Sequence, residues 1–238
     1  MKRSNYEVDL AKHGFCEANA SPADINNVNA YGQILLANNR QFIEGKRVLD
    51  LASHDGRHTY ASLALGAERV TSVEARAASL DRGRPIIDRD FPGKTDFVVG
   101  DLFDFLPTVA PGDFDTLLCF GFLYHTIRQA EIVEQARRIG VETFLLATFV
   151  TKRKVLTRRG LKEQPGLQLI YEDPECIRNT VDKTGLAAWP NCSFLEHVLE
   201  AYGFRHRKLR PGDSGISEWR GLEEFKKGRY VAYVASRT

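Results

Sequence analysis

Three carboxylates recur where apolar, β-branched runs come to an end. They are Asp50 in Arg47-Val-Leu-Asp-Leu-Ala-Ser53, Glu74 closing Arg69-Val-Thr-Ser-Val-Glu74, and Asp101 after Asp96-Phe-Val-Val-Gly100. One such residue reads equally well as a helix cap or a solvated loop charge. Three in succession, with the tight turn to Gly56 after the first run, describe a ligand that donates hydrogen bonds at several points. A nucleoside does this: its two ribose hydroxyls can donate to one carboxylate and an exocyclic amine to another. In nucleotide-binding folds the ribose carboxylate stands about 20 residues beyond the first turn, and Glu74 stands 18 residues beyond Gly56. A second group is Tyr124-His125, within Gly121-Phe-Leu-Tyr-His-Thr126. Histidine suits proton removal at neutral pH, and Tyr124 offers a phenol to an acceptor. The plainer reading makes His125 a cap for a helix starting near Thr126 and Tyr124 a packing residue.

These residues need a frame that brings strand ends together. From Arg47 to Val150 apolar runs alternate with helix-like stretches. Strands are expected at 47–53, 69–74, 96–101, 114–121 and 142–150, and helices at 57–65, 75–89 (interrupted by Gly83 and Pro85) and 126–139. That rhythm implies βαβ units and a doubly wound parallel sheet, covered by helices on both faces. Strands that are apolar throughout fit such cover. Ligands of open α/β sheets sit at the carboxyl ends of the strands, where the three carboxylates fall. Residues 191–203 read as a helix. Residues 205–210 and 229–236 read as two last strands meeting antiparallel. Residues 151–190 break the pattern and read as a polar lid or insertion. In residues 1–46, Ile34, Leu35, Phe42 and Ile43 mark a helix packed across the sheet edge, while Asn26 to Asn29 looks too polar for a core.

The bulk properties narrow the function. The chain has 238 residues, 33 basic and 31 acidic, a net charge of +2. A balance this close argues against a protein built chiefly to grip nucleic acid. The four cysteines form no zinc-like or redox pair, and Cys119, in an apolar run, is expected to be a buried thiol. The N-terminal stretch lacks the apolar centre of a signal peptide, and no run approaches membrane-spanning length, so the expected location is cytoplasmic.

The segments Val48-Leu-Asp-Leu-Ala-Ser-His-Asp-Gly56, Val70-Thr-Ser-Val-Glu74, Gly100-Asp101 and Phe114-Asp-Thr-Leu-Leu-Cys-Phe-Gly-Phe-Leu-Tyr-His125 resemble the class I S-adenosylmethionine-dependent methyltransferases. The likeness covers roughly residues 45–150, and the last strands more loosely. It implies a Rossmann-like, seven-stranded, mostly parallel sheet with an antiparallel last strand. It divides the chain into a helical cap segment (1–46), a cofactor-binding core (47–150), a lid (151–190) and a closing helix with strands (191–238). By that likeness, Asp50, Ala52, Ser53, His54 and Gly56 wrap the methionine part of S-adenosylmethionine. Glu74 holds the ribose, Asp101 with Leu102 the adenine, and Phe120 with Gly121 line the floor near the sulfonium. Tyr124 and His125 serve the methyl acceptor, a small molecule whose hydroxyl oxygen, on a sugar or secondary metabolite, takes the methyl group.

One departure stands out. The family turn alternates three glycines, where this chain has Ala52, His54 and Gly56. A left-handed backbone costs a histidine energy, so a reshaped turn is expected, with His54 and His58 facing solvent. Trp189 and Trp219 are aromatic candidates for the acceptor pocket or for simple packing. The basic run Lys152 to Arg159 reads as a solvated face. Mg2+ is a secondary expectation: Asp115, Glu142, Glu172, Asp173 and Glu175 offer oxygen ligands, with no spacing to choose among them. The Leu-Tyr-His element also resembles transfer-RNA-modifying members of the superfamily, the leading alternative. A nicotinamide oxidoreductase would need G-x-G-x-x-G at the turn, which is absent. A non-catalytic cofactor-binding protein and a homodimer remain open readings.

Overall fold

The structure is a computed structural model. It describes residues 6–152, 155–157, 160–162, 164–172 and 185–238, with the side chains of 155–157 and 160–162 excepted. In chain order the regular elements are α1 (Pro22–Leu35), β1 (Arg47–Leu51), α2 (Arg57–Ala64), β2 (Arg69–Glu74), α3 (Ala77–Leu80), α4 (Gly83–Asp90), β3 (Thr95–Val99), α5 (Leu102–Phe105), β4 (Thr116–Phe120), α6 (Gln129–Ile139) and β5 (Thr143–Phe149). They continue with β6 (Val155–Thr157), β7 (Gly160–Lys162), β8 (Leu167–Tyr171), β9 (Leu186–Pro190), α7 (Cys192–Ala201), β10 (Phe204–Lys208), α8 (Glu223–Lys226) and β11 (Tyr230–Arg237).

Seven strands form one sheet in the order β10-β11-β5-β4-β1-β2-β3. β11 runs antiparallel to both neighbours, β5 and β10, and the other pairings are parallel. The chain order reverses beside β1, where β4 lies on one side and β2 on the other, which is where such sheets bind ligands. The central strands explain this placement. Val48, Leu49, Leu51, Leu117, Leu118 and Cys119 are all fully buried, because alternate side chains enter two separate apolar layers, one on each face.

Several elements differ from the sequence expectation. β1 stops at Leu51 rather than Ser53, because the backbone turns left-handed at Ala52. The stretch 75–89 is two short helices. They part at Asp81–Arg82, and Pro85 sits harmlessly in the first turn of α4. Gly83 opens α4 against the turn after β1: a Cβ there would lie 1.7 Å from the Asp55 carbonyl oxygen. Helix α6 begins at Gln129, three residues later than expected, and Leu123–His125 forms a separate 3-10 turn. The segment 151–190 contains strands: β6 pairs with β7 and β8 with β9, both antiparallel. Asn26 and Asn29 are buried after all. Asn26 donates to the carbonyls of Glu218 and Arg220, and Asn29 donates to Asp9 and accepts from the Ala11 N–H. A buried amide is tolerated when its hydrogen bonds are met, and these tie α1 to both ends of the chain.

Candidate functional site

The turn after β1 keeps the shape that its residues disfavour. Ala52 has φ +52°, His54 φ +55° and Gly56 φ +76°. Non-glycine residues in this region cost of order 1–3 kcal/mol each and persist only where the surroundings hold them. The bonds that hold them are visible. Ser53 N–H donates to the Val73 carbonyl, the Ser72 hydroxyl donates to Ser53 Oγ, and His54 N–H donates to Glu74 Oε2 at 2.9 Å. The turn is therefore tied to the end of β2. The backbone is left-handed at all three positions, Ala52, His54 and Gly56.

Glu74 is 4% exposed, and its Oε1 accepts from both the backbone and the Nε of Arg76, at 3.0 Å each. Each carboxylate oxygen carries two lone pairs; Oε1 uses both and Oε2 uses one for His54 N–H, which leaves one position on Oε2 for a ribose hydroxyl. Next to it, Asp55 is buried against Arg57, with Arg57 Nη2 2.7 Å from Asp55 Oδ2. Burial alone would raise this carboxyl, but hydrogen bonds from His54 and Arg57 outweigh it and hold it well below the usual carboxylate range.

A cavity of about 740 Å3 opens over these strand ends, within the range of small-ligand sites. Ala52, Ser53, His54, Glu74, Leu102, Phe120, Gly121, Tyr124 and His125 all line it. Asp50, Gly56 and Asp101 do not line it. The Asp50 carboxyl accepts from the Thr59 hydroxyl at 2.7 Å inside the β1–α2 joint. Burial pushes it up to about 7, against the pull of the Thr59 hydrogen bond. Asp101 caps α5, accepting from Phe103 N–H at 2.8 Å. Gly100 and Leu102, its neighbours, do face the cavity.

Other lining residues escaped the sequence reading. Asn27, Tyr31 and Leu35 recur every four residues on α1 and form one wall. That helical spacing was the available signal, but the polar stretch Asn26 to Asn29 masked it. His58 was expected in solvent and instead lines the cavity, edge-on to Phe120 at 4.9 Å. Burial pushes its imidazole down to about 3, so it stands neutral. Phe149 and Tyr230 close the far side, 5.0 Å apart edge to face. Burial also raises the Tyr31 and Tyr230 phenols, which therefore act as neutral donors.

Tyr124 packs edge-on to Phe149 at 5.0 Å and lies 3.9 Å from the His125 ring. His125 caps no helix; α6 is preceded by Arg128. Its Nδ1 instead meets Oε1 of Glu172, just after β8. Trp189, on β9, stacks on Phe149 from behind the wall and is not itself a lining residue. Trp219 packs on the core with Lys226 over its ring.

Of the acidic residues offered for Mg2+, Asp115 is bound by Arg47, Glu142 by Lys46 and Glu172 by His125. Asp173 and Glu175 lie outside the described residues, as do Arg153, Lys154, Arg158 and Arg159 of the basic run and Cys176. Among the described residues no group of three or more metal-binding side chains gathers.

The residues present do fit an adenosine-bearing ligand. A closely approaching backbone turn, a buried carboxylate at the end of β2 and open space over Gly100, where a Cβ would meet nothing within 4 Å, line one cavity in the required order.

No protein-family model matches the sequence, and comparison with curated protein sequences finds no match. Solved structures do match. The N-terminal domain of EvdMO1, crystallised in the presence of S-adenosylhomocysteine and D-fucose, is 19% identical with a TM-score of 0.63, over 100% of this chain and 97% of that one. Magnesium protoporphyrin IX methyltransferase from Synechocystis, with S-adenosylhomocysteine bound, is 14% identical with a TM-score of 0.59, over 97% and 94%. A putative RNA methyltransferase from Pyrococcus horikoshii is 17% identical with a TM-score of 0.54, over 98% and 94%. The chain therefore has the Rossmann-like fold of class I S-adenosylmethionine-dependent methyltransferases.

Proposed function

We propose that the protein is an S-adenosylmethionine-dependent methyltransferase that methylates a hydroxyl oxygen of a small molecule, a sugar or a secondary metabolite. The observation that carries this reading is the single cavity joining the strained turn and Glu74 at one end to Tyr124 and His125 at the other. Fold alone does not assign an activity; the order of the groups along the cavity is what supports this one.

In this reading the turn at Ala52–His54 brings backbone against the methionine part of the cofactor, and Glu74 Oε2 accepts from a ribose hydroxyl. Gly100 and Leu102 face the adenine, and Phe120 and Gly121 form the floor beneath the sulfur. When bound, the cofactor supplies an electrophilic methyl group on a positively charged sulfur. The chain must then orient the acceptor and take its proton. Tyr31, Tyr124, Phe149 and Tyr230 give an aromatic wall with phenol donors, suited to the mixed apolar and hydroxylated faces of a sugar. His125 is the base, at the edge of that wall. EvdMO1 was crystallised with D-fucose, in keeping with a sugar-like acceptor for this chain too.

The test is release of S-adenosylhomocysteine from S-adenosylmethionine on addition of hydroxylated acceptors. Turnover should fall on the order of 10²-fold in His125→Ala. Full activity in that variant would remove the histidine from the chemistry.

A further inference from the structure

Glu172 follows the last residue of β8, outside the main sheet, and its N–H donates to the Gly185 carbonyl at 2.9 Å. Its side chain is only 6% exposed and is paired with the His125 imidazole. Burying a carboxylate is costly, and an apolar side chain of similar volume would serve packing equally well. The pairing also has a direction. A carboxylate accepts at Nδ1, so Nδ1 carries the proton and the neutral ring keeps its lone pair on Nε2. His125 itself lines the cavity.

The ribbon that carries Glu172 is docked firmly against this corner. Gln129 Nε2 donates both to the Leu123 carbonyl, in the turn that holds His125, and to the Ala188 carbonyl of β9. Trp189 of β9 packs on Tyr124 and Phe149. The second oxygen, Glu172 Oε2, is buried without a hydrogen-bond partner among the described residues.

We propose that Glu172 is a positioning residue of the acceptor site: it fixes His125 as the Nδ1–H tautomer, so that Nε2 is the atom that receives the acceptor's proton. This rests on the methyl-transfer reading above. The acceptor oxygen forms its bond to the methyl carbon as the carbon–sulfur bond breaks and its electron pair stays on sulfur. The hydroxyl proton passes to Nε2. The positive charge that leaves the sulfonium then resides on an imidazolium beside the Glu172 carboxylate, so charge and protons balance.

The tautomer can be read without knowing the acceptor. Long-range 1H–15N NMR spectra of the full chain, with histidines 15N-labelled and His125 assigned by its loss in His125→Gln, should show Nδ1–H in the wild type. In Glu172→Leu and in Glu172→Ala the majority form should become Nε2–H. A wild-type Nε2–H signal, or Nδ1–H persisting in both variants, would overturn the proposal. Two variants guard against one failing to fold. A parallel titration with S-adenosylhomocysteine separates the claims: no binding to the wild type removes the methyl-transfer reading, whereas the tautomer result decides Glu172 by itself.

Discussion

His54 concentrates the conflict between local preference and site geometry. Its φ of +55° is a conformation that glycine adopts without steric cost and histidine does not. His54→Gly should therefore leave stability unchanged or raise it by about 1 kcal/mol, the relieved strain offsetting the added freedom of the unfolded chain. Urea unfolding decides it, and a loss of more than about 1 kcal/mol would mean that the imidazole, rather than the Ser53 and Glu74 hydrogen bonds, holds the turn. This residue also shows how far the sequence was legible. The turn's place, between an apolar strand and a helix, was readable. Its conformation was not, because the bonds that enforce it come from Val73 and Glu74, about 20 residues away. Glu74 was found from its strand-end position. Glu172 was noticed only as a possible metal ligand, since its partner His125 lies 47 residues away.

At the scale of elements, the joint between β1 and α2 holds a titratable group that the cavity does not use. Asp50 is pushed up to about 7 by burial, while Thr59 hydrogen-bonds it. The folded-state pKa is thus above the unfolded one, so between the two the native chain binds more protons than the unfolded chain. The Asp50 contribution to stability must then fall as pH rises from about 4 to about 7 and level off above, against the opposite trend from His58, whose imidazole burial pushes down to about 3. Asp50→Asn, which keeps an oxygen for the Thr59 hydroxyl, should remove that contribution, so that its stability relative to the wild type rises from pH 4 to pH 8 and it is the more stable form at pH 8. Chemical unfolding from pH 4 to pH 8 measures this, and parallel profiles for the two proteins would refute the assignment.

The β8–β9 ribbon marks where element reading failed. Residues 167–171, Leu-Gln-Leu-Ile-Tyr, are a short, mostly apolar run with a β-branched and an aromatic residue, a strand signal, but the polar composition of 151–190 obscured it. The parallel strands were easier, since continuous apolar runs such as Thr116–Phe120 have few other fates.

For the whole molecule, the near balance of charge, +2 over 238 residues, bears on the alternative of a transfer-RNA substrate. A small-molecule enzyme should show weak, shallow salt-dependent binding to RNA. A steep fall of tight RNA affinity between 50 and 200 mM salt would instead favour the RNA reading. Among the described residues no helix is long and apolar enough to cross a membrane. The cavity draws walls from α1, the turn after β1, the ends of β2 and β4, and β11, so a ligand there links distant parts of the chain. S-adenosylhomocysteine at about 100 times its dissociation constant should add roughly 2.7 kcal/mol to stability, visible as a rise of several degrees in Tm.

Calorimetric titration with S-adenosylhomocysteine tests the central claim most directly. Saturable binding at one site per chain is predicted, with affinity reduced about 10- to 100-fold in Glu74→Ala, as expected for a lost hydrogen bond to a charged group. No binding to the wild-type chain at high micromolar protein, or equal affinity in the two proteins, would contradict the account.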